Sequence, residues 1–299
     1  MRAGVLRGQA HGVVFEARVD DRRLLPAVRA RLPPGWSATR RPAVAILSLM
    51  HEVFEDPRSR SRGASGSERR RRRVLGLSVR LDGQVVARGL SHAQALDVFE
   101  SELQLSVARL ARPEVFVHAG VVAVAGRAIL LPGRSGAGKT TLVRALVEAG
   151  ATYYSDEYAV LDREGRVHPY ARRPSVRLRA GRKERQSVPR RRGRAGVPVG
   201  LVVETRYRPD GRWAPVPLSA GERVLALLAN TVPARDRPAE VLAVLARATG
   251  SARGFRSDRG PAGRAAPMLL ALVREAAELE APPAAAGRPK GRAAQARRA

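Results

Sequence analysis

The sequence has no cysteine, which excludes disulfides and Cys-ligated zinc and suits a reducing cytoplasm. Aromatic residues are 4% of its 299 positions, so little surface is available for stacking nucleic-acid bases. No apolar run approaches the ~18 residues that a membrane span needs. The opening residues, MRAGVLRGQAHGVVFEARVDD, have no apolar stretch of the signal-peptide kind. The expectation is a soluble, cytoplasmic protein with no membrane partner. Lysine is also scarce: Lys139, Lys183 and Lys290 are the only three among 55 basic residues.

What is abundant is arginine. Against 27 acids, the 55 bases give a formal net charge of +28. Such a surface gains affinity for nucleic acid by releasing counterions from phosphates. Arg, Ala, Gly and Pro are enriched together, as a GC-rich coding sequence would produce, and no helix-turn-helix or RNA-binding signature accompanies the charge. Compositional bias is therefore the favoured reading, and nucleic acid the less favoured partner. Much of the excess charge lies in residues 58–73 (RSRSRGASGSERRRRR), 181–194 (GRKERQSVPRRRGR) and 281–299 (APPAAAGRPKGRAAQARRA). The first two read as solvated loops able to meet an acidic partner, the third as a disordered basic tail.

Hydrophobic residues make up 44% of the chain, enough for an ordinary core. Their pattern between the basic segments is αβ. Residues 74–89 alternate around Asp82-Gly83, which predicts a hairpin. Ser91 and Gln94 form a capping box ahead of a stripe at Leu96, Phe99, Leu103, Val107 and Leu110, a helix that stops at Arg112-Pro113. Residues 115–131 read as two strands joined at Gly126-Arg127. A helix over 139–149 ends at Gly150. One strand, an acidic pair and a hairpin across Asp162–Arg166 follow. Residues 197–204 read as a buried strand. Helices are expected over 223–229 (capped by Ser219 and Glu222), 240–248 and 268–279. This gives an N-terminal αβ region at 1–112, a second domain at 113–280 and the tail.

The stretch from Gly133 to Thr140, GRSGAGKT, matches G-x-x-x-x-G-K-[ST], the Walker A motif or P-loop. Its glycines let successive backbone N–H groups turn inward toward phosphate oxygens. A helix beginning there adds the positive end of its dipole. Gly133, Arg134, Ser135, Gly136, Ala137, Gly138, Lys139, Thr140 and Thr141 are thus the nucleotide-binding candidates. Lys139 would reach the β- and γ-phosphates of ATP, and Thr140 would offer its hydroxyl to Mg²⁺. A compact ammonium fits within a ring of N–H groups where a planar guanidinium would not, which explains a lysine in a chain that otherwise uses arginine. Asp156 and Glu157 follow a short strand, where an acid can hold Mg²⁺. On a strand they would point to opposite sides, favouring one for the metal. His118, in VFVHAGV, is the remaining candidate.

The run from His118 to Asp162, HAGVVAVAGRAILLPGRSGAGKTTLVRALVEAGATYYSDEYAVLD, resembles the catalytic domain of HPr kinase/phosphorylase and its smaller divergent relatives. The shared features are His-small-small ahead of two strands, a G-x-S-G-x-G-K-[ST] loop, a helix ending in Gly and then an acidic pair. The match covers about 15% of the chain. The helix opening at Ser91 also resembles those relatives. The resemblance implies a P-loop nucleotide-binding core of the phosphoenolpyruvate carboxykinase/HPr kinase type, an α/β fold with a mixed sheet. It implies ATP- and Mg²⁺-dependent phosphorylation of a serine on a protein or peptide, with a small-molecule hydroxyl as another acceptor. It gives Asp156 and Glu157 the roles of metal ligand and base, and His118 that of active-site histidine.

The second acid is Glu157 where the family has Asp, and no downstream Gly-rich signature is present. Glu204 is the nearest replacement for the further acidic ligand of that signature. Hexamer formation and phosphorylase activity are therefore not carried over, and HPr is not the expected substrate. Arg134, Arg172, Arg173 and Arg177 are candidates to add positive charge near the phosphates. The alternatives are a non-catalytic ATP-binding regulatory or interaction protein and, more weakly, an NTPase held on nucleic acid by the Arg runs.

Overall fold

The computed structural model describes residues 2–55, 73–133, 138–172, 175–177, 183–185 and 187–280. The basic segment over 58–72, the loop residues Arg134 to Ala137, Arg173 and the tail 281–299 lie outside the described residues, as does the side chain of Arg177.

The N-terminal region builds a mixed six-stranded sheet from β1 (Gly4–Ala10), β2 (Val13–Val19), β3 (Ser37–Ala38), β4 (Ala45–Glu55), β5 (Arg73–Leu81) and β6 (Gln84–Leu90), in the order β3-β1-β2-β4-β5-β6. Only β2 and β4 pair in parallel, and the short helix α1 (Leu25–Arg29) lies in the crossover between them. The β5–β6 hairpin turns at Asp82-Gly83, both at positive φ, as their type demands. Helix α2 (His92–Leu110) opens with the predicted capping box of Ser91 and Gln94, a device that contributes about 1 kcal/mol. Its stripe Leu96, Phe99, Leu103 and Val107 is buried against Phe15, Leu47 and Leu49 of the sheet.

The second region is a three-layer α/β unit. Its central mixed sheet contains β7 (Val115–Val124), β8 (Arg127–Pro132), β9 (Thr152–Ser155), β10 (Tyr158–Leu161), β11 (Val167–His168), β14 (Val199–Tyr207), β15 (Val216–Pro217) and β16 (Arg253–Arg259). Strands β12 (Ser175–Arg177) and β13 (Lys183–Arg185) form a separate ribbon. Alternation along β7 sends Val115, Val117, Val121 and Ala123 to one face, where α4 (Ala220–Leu228) and α5 (Pro238–Thr249) cover them. Val122 faces the other side, packed with Leu142, Val143 and Leu146 of α3 (Lys139–Glu148) and Leu269, Leu270 and Val273 of α6 (Ala262–Glu280). Gly120 permits this approach, since a Cβ there would lie 2.6 Å from Val143 Cγ2.

Three expectations shift. Helix α6 runs back through Pro267 to Ala262 instead of starting at 268, because Ala262, Ala265 and Ala266 are buried on the same stripe as Leu269. The second basic run is not wholly a solvated loop: Arg191 and Gly193 exchange backbone hydrogen bonds with Tyr153 of β9. The acidic pair lies in the turn between β9 and β10, so strand alternation does not orient it.

Candidate functional site

The site forms where the edge of β7 changes partner. Val115 to His118 pair with β10, and Val121 to Ala123 pair with β9. Two short strands therefore lie end to end along β7, with Asp156 and Glu157 at their joint. Ser155 tightens that joint: its Oγ accepts from the N–H groups of Glu157 (3.1 Å) and Tyr158 (3.0 Å). Glu157 O accepts from Ala119 N–H at 3.1 Å, which fixes the acids opposite His118.

On the other side of β7, β8 leads to Gly133, whose N–H donates to His118 O at 3.3 Å. The chain enters α3 through Gly138 at φ 78°, a left-handed conformation natural to glycine. Lys139, the first residue of α3, donates from Nζ to Gly133 O at 2.6 Å. Burial pushes its pKa down, and the nearby charges of Glu157 and Asp156 act against that push. Thr140 donates from Oγ1 to Asp156 Oδ2 at 3.1 Å. Thr141 is exposed on the outer face of α3.

Asp156 is 8% exposed, and Tyr153 donates its hydroxyl to Oδ1 at 3.0 Å. Burial, then repulsion from Glu157, raises the Asp156 pKa, while the bonds from Thr140 and Tyr153 and the charge of Arg172 oppose the rise. A buried carboxylate so placed favours a proton or a cation beside it. Glu157 is more open, its side chain 37% exposed, and Arg172 clamps it through Nη1. The other arm of Arg172 donates to Glu100 on α2, which is 7% exposed and also within 3.7 Å of Arg31 Nε. His118 stacks at a tilt on Tyr158, ring centroids 4.5 Å apart. Burial first, and Lys139 second, lower its pKa, so the neutral imidazole is the favoured form.

The described candidates therefore converge. His118, Gly133, Gly138, Lys139, Thr140, Asp156 and Glu157 surround one point at the start of α3. Arg172 joins them as the partner of an acid, not as a free cation. Glu204 does not join: it pairs with Arg256 across β14 and β16 at 2.7 Å. Among the described residues no three His, Asp or Glu side chains gather as a metal cage. A Mg²⁺ ion uses only one or two protein carboxylates beside phosphate oxygens, and the Thr140–Asp156 pair fits that need. Tyr153 and Glu100 escape the sequence reading because an apolar stripe and a strand give no sign of what each side chain reaches across the fold.

Together these features define an α/β protein with two mixed sheets and six helices among the described residues. No helix of the described residues is long and apolar enough to cross a membrane. No protein-family model and no curated protein matches the chain. Among solved structures, the HPr(Ser) kinase/phosphatase from Coxiella burnetii is similar at a TM-score of 0.31 and 12% identity, over 54% of this chain and 94% of that chain. The similarity is weak and confined to the fold.

Proposed function

We propose that this chain is an ATP- and Mg²⁺-dependent phosphotransferase that phosphorylates a hydroxyl, on a serine of a protein or peptide or on a small molecule. The observation that carries the reading is the Thr140 hydroxyl bonded to the buried Asp156 carboxylate, one residue from Lys139. Phosphoryl transfer asks a protein for positioning and charge neutralisation more than for covalent chemistry. The GRSGAGKT motif supports phosphate binding, with Lys139 exchanging the Gly133 carbonyl for phosphate oxygens. Thr140 and Asp156 are the residues that would hold the metal. Mg²⁺ when bound supplies neutralisation of the phosphate charge.

Glu157, the more open acid, accepts the proton of the attacking hydroxyl at its carboxylate. Arg172 orients that carboxylate from the side of α2. Neutral His118, backed by Tyr158, lines the approach and positions the acceptor hydroxyl. The clamp on Glu157 also supports a second reading, a nucleotide-binding regulator without transfer chemistry, because a carboxylate held by a guanidinium is less free to meet an acceptor hydroxyl.

Incubation with γ-labelled ATP and proteins or peptides encoded nearby separates the two. Label transfer by wild type, lost in Lys139→Ala, is the expected result. Tight ATP binding with neither transfer nor hydrolysis would leave the regulator as the function.

A further inference from the structure

Strands β8, β14 and β16 run parallel, so their carboxyl ends share one edge of the sheet, where ligands of open α/β sheets bind. Strand β16 ends at Arg259, beside the start of α3. Arg259 is 2% exposed. Its Nη2 donates to Gly138 O at 3.1 Å and its Nη1 to Gly260 O at 3.2 Å, and the guanidinium lies over the Tyr207 ring at 5.5 Å. Glycine at 138 leaves room for this contact, since a Cβ there would stand 2.7 Å from Nη2.

Among the described residues this guanidinium has no carboxylate partner. The buried Nε has no hydrogen-bond partner among the described residues. No carboxylate among them forms an ion pair with it, and the neighbouring Asp258 is held by Arg206 and Arg208. Burial accordingly lowers the Arg259 pKa. A buried cation without a paired carboxylate is costly to a fold, and an anion beside it offsets that cost. The planar fork suits a phosphate group, offering two parallel N–H bonds.

We propose that Arg259 is a second cationic ligand of the nucleotide's phosphate chain, acting with Lys139 at the N-terminus of α3. The assignment rests on the nucleotide reading given above. It adds to that site a residue about 120 positions away in sequence, delivered by the parallel pairing of β14 and β16.

Calorimetric titration of the full chain with MgATP, and separately with pyrophosphate, tests it on wild type, Arg259→Gln and Arg259→Lys. Arg259→Gln is expected to weaken both ligands about tenfold or more, the value of a charge-assisted hydrogen bond, and Arg259→Lys to recover part of the loss. Without ligand, Arg259→Gln should melt no lower than wild type, since it removes an uncompensated buried charge. Wild-type affinity in Arg259→Gln overturns the proposal, as does a lower melting temperature with unchanged affinity. Should Arg259→Gln fail to fold, Arg259→Lys decides: a severalfold loss supports the assignment and none overturns it. If wild type binds pyrophosphate but not ATP, and Arg259→Gln loses the pyrophosphate, the nucleotide reading falls while Arg259 stands as an anion ligand. Wild type that binds neither overturns both.

Discussion

Arg172 and Arg259 approach the start of α3 from opposite flanks, and the fold treats them differently. Arg172 is shared between two carboxylates, Glu157 of the site and Glu100 of α2. Arg259 is more deeply buried and rests on two carbonyls and an aromatic face. The first guanidinium is satisfied by the protein and works through what it holds. The second has no carboxylate partner among the described residues, which is the ground on which an anion is proposed for it. In a chain of 55 basic residues, composition cannot separate these cases, and the partner of each guanidinium does.

The acid flank can be broken most severely at Asp156. Asp156→Asn should lower Mg²⁺-dependent turnover by about two orders of magnitude or more, the scale seen when a preorganised electrostatic contact is removed. The same change should leave the apo fold at least as stable at neutral pH. Because folding raises the Asp156 pKa, the native state binds its proton more readily than the unfolded chain. Wild-type stability therefore falls as pH climbs from the ordinary Asp range through the raised value, and the Asn variant should lose that slope. Urea unfolding across pH, beside a turnover assay, reads both effects. Unchanged turnover would assign the metal to another acid.

Arg172→Met sharpens the contrast with Arg259→Gln. It removes the nearer of the two guanidinium groups beside the buried Glu100, leaving Arg31 Nε at 3.7 Å, and should destabilise the fold by about 2 kcal/mol in urea unfolding, whereas Arg259→Gln should not destabilise it. Combining Arg172→Met with Glu100→Gln should recover part of the loss, because the buried carboxylate that lost a cation is then a neutral amide. Equal destabilisation by the two arginine variants would erase the distinction between the flanks.

The smallest effect is expected at His118, which lies between them. His118→Phe should slow transfer about tenfold while sparing nucleotide affinity. Folding lowers the His118 pKa, so below about pH 6.5 the unfolded chain takes up a proton that the native state refuses. That loss of stability on acidification should be reduced in His118→Phe, measured by urea unfolding at pH 7.5 and at pH 5.5.

The site's acid flank is legible in the sequence because its parts are local. The glycine loop, Lys139 and the acidic pair fall within one strand–helix–strand run, and the capping boxes at Ser91 and Ser219 mark their helices by adjacent residues alone. The hairpin at Asp82-Gly83 is legible for the same reason. Strands β1, β2 and β4 are harder to read. Most of β2 is buried on both faces, and its one acid, Glu16, is neutralised by Arg7 of β1 and by Arg18, so the expected polar alternation is missing. Arg259 is illegible for a topological reason: its place beside Gly138 depends on which strands pair, and no local pattern encodes that.

The packing around α2 has a consequence for anyone who would cut this chain down to a minimal fragment. Phe116, Tyr158, Val160 and Tyr170 belong to the α/β unit, yet they are buried in the same cluster as Phe15, Leu47 and Phe99. Tyr170 donates its hydroxyl to Gln104 of α2 inside that cluster. A fragment beginning at residue 113 would keep Lys139, Thr140, Asp156 and Glu157 while losing Glu100 and exposing a plate of aromatic rings directly behind Tyr158, the ring that backs His118. The border between the two sheets is a shared wall, and excision along it removes the support of the rooms on both sides.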